Sequence, residues 1–261
     1  MHNFETPGSV SLQIRLPSGR VTVTTADEPQ TSVELISTGR RGPDAFDDVT
    51  VRADERHGGH VITVEQKDRF RWGPIQITWG SDLEVRITCP PGTDLELSGG
   101  STDLQAEGEL GEVSAKSASG DIRLQDVRKK LEVKTASGDV YIGTIEAGGN
   151  LVTVSGDLDI GRVQAPLNAR SVSGDIRIRA IEAGELHLQT VSGDARIGVA
   201  RGTRVWIDAV SVSGDLGSEL GLADQAPEAE AETEQAGEVV SLHVKTVSGD
   251  VAIVRAAEAL A

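Results

Sequence analysis

A tripeptide, Ser-Gly-Asp, recurs seven times along the 261 residues: Ser119-Gly120-Asp121, Ser137-Gly138-Asp139, Ser155-Gly156-Asp157, Ser173-Gly174-Asp175, Ser192-Gly193-Asp194, Ser213-Gly214-Asp215 and Ser248-Gly249-Asp250. The first four copies are 18 residues apart, the next two follow at 19 and 21, and the last at 35. So short and regular a period means one supersecondary unit copied and stacked, each copy burying its apolar face against its neighbours. The period predicts an all-β, single-chain β-solenoid with coils of about 18 residues.

The unit Ser119 to Ala136 shows how a coil is built. Ile122, Leu124 and Val127 follow the turn, then Leu131, Val133 and Thr135. Both stretches alternate with the period of two that points one set of side chains inward and the other to water. Later units repeat it, as in Val140, Ile142 and Ile145, or Ile176, Ile178 and Ile181. Outward positions hold Arg123, Glu132, Lys134, Asp159, Arg177, His187 and Gln189. Each coil therefore carries two short strands and two corners. One corner is Ser-Gly-Asp; the other bears Gly or Pro, as in Glu146-Ala147-Gly148-Gly149 and Gln164-Ala165-Pro166. At the first corner Gly is expected to supply a positive φ, while Ser and Asp bond to neighbouring backbone N–H groups. Stacking would align the Asp side chains in a column, which is tolerable if each carboxylate accepts a backbone donor or a cation lies between them. The turn-stabilising ladder is the expectation; divalent-cation binding along the column is the sharper alternative.

Upstream, Ser101-Thr102-Asp103 lies 18 residues before Ser119, and Ser18-Gly19-Arg20 reads as an eroded copy. Residues 1–97 are expected to form degenerate coils or an irregular N-terminal β-cap, and residues 98–261 the regular repeats. Phe4, Phe46, Phe70, Trp72 and Trp79 fall in the first part, as suits a cap over an open solenoid end; a sugar- or peptide-binding groove around Phe70-Arg71-Trp72 and Trp79 is the alternative. The excess between the last two copies, about residues 223–238, includes the acidic, aromatic-free run AEAETEQAGE. It reads as a disordered excursion whose deletion leaves stability nearly unchanged. The Ala-rich tail from Arg255 is expected to close the last coil as a short helical turn.

The net charge is −16, with 41 acidic against 25 basic residues. The basic clusters Arg40-Arg41 and Arg128-Lys129-Lys130 are too short to hold nucleic acid or an anionic lipid surface. A single cysteine, Cys89, allows no intramolecular disulfide. The N-terminal residues lack the pattern of a signal peptide, and no apolar run approaches the roughly 20 residues of a membrane span. These features lead to the expectation of a cytoplasmic protein without a transmembrane segment.

A left-handed hexapeptide β-helix also has 18-residue coils, but a step of six from Ile122 meets Arg128 and Lys134. A right-handed two-sheet coil is preferred. No zinc signature, phosphate-cradling Gly loop or Ser-His-Asp spacing is present. His57-Gly58-Gly59-His60 is the one local cluster resembling metal ligands, and its Gly-Gly centre reads better as a hairpin tip. His187 and His243 read as solvated outward residues. Neither a catalytic nor a cofactor-binding residue is assigned, and no metal site.

The units VSGDIRIRAI, TVSGDARIG and KTVSGDVAIV, over roughly residues 98 to 254, with the opening SGRVTVTTAD, resemble the putative-adhesin family of β-strand-repeat proteins of unknown function. The resemblance implies an all-β, non-enzymatic protein of bacterial type, and brings no catalytic residues with it. The expected function is a binding or scaffolding surface for a protein or glycan partner. A self-assembling cytoplasmic scaffold is the alternative, and a regulatory component of an envelope-stress system rests on the family likeness alone.

Overall fold

In a computed structural model, described here for residues 1–37, 48–56, 58–66, 83–220 and 239–256, every regular element is a strand. No helix among the described residues is long and apolar enough to cross a membrane. The chain forms an all-β solenoid of parallel rungs, each contributing one strand to either of two faces. The first face stacks β9 (Leu131–Thr135), β11 (Gly149–Val152), β13 (Leu167–Ser173) and β15 (Glu185–Ser192). The second stacks β8 (Ile122–Val127), β10 (Val140–Ile145), β12 (Leu158–Val163), β14 (Ile176–Ile181) and β16 (Ala195–Val199).

Register explains why the repeat is so strict. Ile122, Val140, Leu158 and Ile176 are direct partners in successive rungs, as are Leu124, Ile142, Ile160 and Ile178. A parallel stack places like on like, so each apolar position becomes a continuous interior file about 4.8 Å per step. All eight of these side chains are buried. Small, branched aliphatics fill so narrow an interior without aromatic bulk, in line with the 3% aromatic content.

The final copy does not extend the stack. β17 (Arg204–Ser213) and β18 (Leu216–Ser218) leave an open slot, and β19 (Val239–Ser248) and β20 (Val251–Arg255) fill it. Thus β15 pairs with β19 and β19 with β17, while β16 pairs with β20 and β20 with β18. Apolar content agrees with this order. At matching positions the last copy presents Val240, Leu242, Val244, Val251 and Ile253, where β17 and β18 offer Val205, Ile207, Ala209, Leu216 and Ser218. The richer copy takes the interior slot and the poorer one forms the end, which maximises the apolar area removed from water. The strand pattern resumes at Val239, in the slot between β15 and β17; residues 223–238 lie within the segment outside the described residues, as do residues 257–261 of the tail.

At the other end, β2 (Val10–Thr25) and β7 (Thr93–Ser117) each run across both faces. Ser18-Gly19-Arg20 pairs with Ser101-Thr102-Asp103, so the eroded copies are stacked corners too. β1 (His2–Glu5), β3 (Gln30–Ser37) and β6 (Leu83–Cys89) border the second face, and β4 (Val49–Arg56) and β5 (Gly59–Gln66) the first. The outer pairs β1–β3, β3–β6 and β4–β5 are antiparallel. This breaks the parallel ladder at that end. Phe4 packs partly buried against the core; Phe46, Phe70, Trp72 and Trp79 lie outside the described residues.

Candidate functional site

The Ser-Gly-Asp corners form one straight edge of the solenoid. Oδ1 of each Asp accepts the backbone N–H of the Asp stacked beyond it. The distances are 3.2 Å from Asp139 N to Asp121, 3.0 Å from Asp157 N to Asp139, and 2.8 Å from Asp175 N to Asp157. The series continues from Asp194 to Asp175, Asp250 to Asp194 and Asp215 to Asp250, each at 2.9 Å, in the spatial rather than the sequence order. Charge-assisted bonds to backbone donors offset the repulsion within a file of carboxylates, and Arg123 adds an ion pair to Asp121 at 3.0 Å.

The glycine of this corner serves a purpose other than the expected one at several copies. Gly174, Gly193, Gly214 and Gly249 have φ between +134° and +147°, but Gly120, Gly138 and Gly156 lie outside the positive-φ set. What all seven share is crowding. A Cβ on any of them would lie 2.2–2.3 Å from a backbone oxygen of the adjoining rung, so only hydrogen fits.

Beside this edge, the outward side of the first face carries an exposed apolar file. The residue before Ser-Gly-Asp is Ala118 and Ala136 in the first two copies and Val154, Val172, Val191, Val247 and Val212, in spatial order, in the other five. Four of them are 48–49% exposed and Val212, on the end rung, 77%. Two residues back along each strand, Lys116, Lys134, Val152, Arg170, Gln189, Lys245 and Val210 make a parallel file in which four of the seven are basic. Lys134, hydrogen-bonded to Glu132, holds that carboxyl below the ordinary carboxylate range. A basic strip is notable on a chain whose net charge is −16.

Further along the same face, His187 of β15 and His243 of β19 are direct partners in register. Their rings stack with centroids 4.7 Å apart and planes 11° from parallel. Nε2 of His187 lies 3.0 Å, and Nε2 of His243 3.2 Å, from the same Oε1 of Glu185. Nδ1 of His243 is 3.5 Å from Oδ2 of Asp208, and the Trp206 ring centroid is 5.1 Å from that of His243. Both histidines face outward and are partly exposed, and the inserted rung brings them together. A signal was present, because Leu186-His187-Leu188 and Leu242-His243-Val244 occupy the same place in their repeats. By contrast, Gly58 and Gly59 stand at the tip of the β4–β5 hairpin, with Arg56 opposite Gly59, and His57 lies outside the described residues.

On the second face, Gly143 and Gly161 leave a shallow trough. It is bordered by Tyr141, under the Arg123 guanidinium at 4.8 Å, and by Arg179, which grips Asp159 with two bonds of 3.0 and 2.9 Å. The bond to Asp159 also raises the Arg179 pKa. These charges satisfy one another, which leaves less for a ligand to gain than the valine file offers.

No curated protein matches this sequence. Among solved structures, a protein described as a putative adhesin from Bacteroides fragilis NCTC 9343 is similar at 15% identity and a TM-score of 0.50, with 96% of this chain and 95% of that one covered. A putative cell adhesion protein from Clostridium sporogenes ATCC 15579 aligns at 8% identity and a TM-score of 0.29 over 95% of this chain and 93% of that one. At such identities the likeness to the first concerns the fold. The Toastrack DUF4097 family model matches residues 10–254, nearly the whole solenoid, and the chain belongs to that family.

Proposed function

We propose that the protein is a non-enzymatic binding scaffold whose outward first face docks a protein partner. The observation that carries this reading is the file Val154, Val172, Val191, Val247 and Val212, aliphatic side chains held exposed in line where the other outward files among the described residues are polar or mixed. Aligned exposed apolar groups raise the free energy of the isolated protein and are relieved when covered. The adjoining Lys134, Arg170 and Lys245 favour a partner segment that combines apolar residues with acidic ones. A glycan partner fits less well, since sugar rings stack on aromatic faces and the file is wholly aliphatic. The name of the Bacteroides fragilis neighbour, described as a putative adhesin, agrees with a binding role.

Affinity capture with the wild type and with a Val172→Lys/Val191→Lys variant tests the reading. Both positions are outward, so the variant keeps its fold and loses the partner. Undiminished capture of the same partner by the folded variant would refute the assignment of this face.

A second reading, self-association, is favoured by the end rung. Among the described residues β17 pairs on one side only, with β19, and leaves Val205, Ile207 and Ala209 half-covered. An open strand edge is a template for pairing with a second copy. Light scattering at rising concentration separates the two, because a chain that stays monomeric excludes it.

A further inference from the structure

The histidine cluster has a chemistry that a solvated pair would lack. A neutral imidazole presents one N–H and one lone pair. His243 faces a carboxylate oxygen from both ring nitrogens, Asp208 at Nδ1 and Glu185 at Nε2. With the N–H directed at Asp208, the Nε2 lone pair confronts Oε1 of Glu185. That same oxygen faces Nε2 of His187. Two ring nitrogens and a carboxylate oxygen thus converge within 4.8 Å of one another, and a cation among them turns opposed lone pairs into ligands.

The geometry points to a site for one divalent transition-metal ion of zinc type, bound by Glu185, His187 and His243 and fastening β19 to β15. Imidazole nitrogens and one carboxylate are the donor set of borderline cations, whereas calcium and magnesium require oxygens. Bond lengths of about 2.0–2.2 Å are reached chiefly by small rotations of the more exposed Glu185 and His187 toward His243, which its neighbours hold in place. Asp208 stands behind His243 as the carboxylate that fixes the tautomer and orientation of a metal-bound imidazole. It is a positioning residue. The fourth position is left to water or to a side chain of a bound partner.

The site has a structural consequence. His187 and His243 are 56 residues apart in sequence and meet only because the last copy is inserted between β15 and β17. An ion held by both closes that insertion, so metal binding and docking of the final rung stabilise each other.

The test uses the full chain made without a histidine tag. Zinc titration by calorimetry, and cobalt(II) substitution followed by its visible absorption, are expected to show one ion per chain in a tetrahedral-type environment. His187→Asn and His243→Asn are expected to lose it. Asp208→Asn should weaken binding about 10-fold, while His60→Asn, remote on the β4–β5 hairpin, should bind as the wild type does. Zinc should raise the melting midpoint of the wild type and leave that of His243→Asn unmoved. Glu185→Gln, at an exposed position, serves if either histidine variant fails to fold, and it too should lose the ion. An absence of wild-type binding, or wild-type affinity in the folded His187→Asn, His243→Asn or Glu185→Gln variants, overturns the proposal.

Discussion

Adding one methyl group to Gly156, one of the seven crowded corner glycines, should destabilise this protein strongly. A Cβ there would sit 2.3 Å from the Gly138 carbonyl oxygen and 2.8 Å from its carbon. Both are backbone atoms in the middle of a stack, so no side chain can swing away. Relief to an ordinary contact requires the two rungs to part locally by at least about 0.7 Å, given that Cβ contacts below 3.0 Å essentially do not occur. Three cross-rung bonds flank the point: Ser155 N to Ala136 O at 2.8 Å, Gly156 N to Ser173 O at 3.2 Å, and Asp157 N to Asp139 Oδ1 at 3.0 Å. Losing two of these at about 1 kcal/mol each, with overpacking of about 1–3 kcal/mol, gives about 4 kcal/mol. For a chain of this size that lowers the melting midpoint by roughly 8–16 °C. Gly149→Ala is the control. Its Cβ would meet Leu167 Cδ1 at 3.1 Å and Leu131 Cβ at 3.5 Å, contacts that side-chain movement relieves at a cost of about 1 kcal/mol or less. Differential scanning calorimetry of the two variants decides the matter. Equal midpoints, or a Gly156→Ala midpoint within about 2 °C of wild type, would refute the crowded-corner explanation.

Three more outcomes follow from the same geometry. Asp157→Asn keeps a carbonyl oxygen for the Asp175 N–H and removes one like charge from the column, so its midpoint in urea should match wild type, whereas Asp157→Ala should cost about 1 kcal/mol. Burial pushes the Cys89 thiol up to about 11, against its bond to Thr93; alkylation at pH 8 should therefore be negligible in the native chain and rapid in urea. Because that thiol keeps its proton longer in the folded state than in the unfolded one, its contribution to stability is complete below about pH 9 and declines as pH rises toward 11. Truncation after residue 238 removes β19 and β20, the partners of β17 and β18, so hydrogen exchange should show the Arg204–Ser213 amides losing protection although their own sequence is intact.

Much of this architecture was legible in local pattern. The 18-residue spacing, the alternation of Ile122 and Leu124, and the recurrence of Val140 and Ile142 one period later specify stacked rungs, because like-on-like stacking is what a strict short repeat encodes. The order of the last rungs was not legible in that way. Copies that share one register compete for the same slots, and the choice between them depends on how much apolar surface each buries, a property of the whole stack. The pairing of His187 with His243 inherits that difficulty: the shared repeat position marks both as outward on one file, but adjacency depends on which copy lies next to β15. The corner glycines teach a related point. A sharp turn suggests positive φ from sequence, while the crowding at Gly120, Gly138 and Gly156 comes from a neighbouring rung that no local window contains. The valine file, finally, was visible as Val-Ser-Gly-Asp in the later copies, yet its exposure needed the position of the corner to be known.

The insertion of the final copy is tested most directly by cysteine pairs on the outward first face. Gln189 is a direct cross-strand partner of Lys245, and Lys245 of Val210, so Val210 stands two rungs from Gln189. Gln189→Cys with Lys245→Cys should form a disulfide readily under mild oxidation, while Gln189→Cys with Val210→Cys, about 9–10 Å apart across two strand spacings, is beyond reach of one. A disulfide between positions 189 and 210, with none between 189 and 245, would mean that the rungs stack in sequence order and that the account of this end of the molecule is wrong.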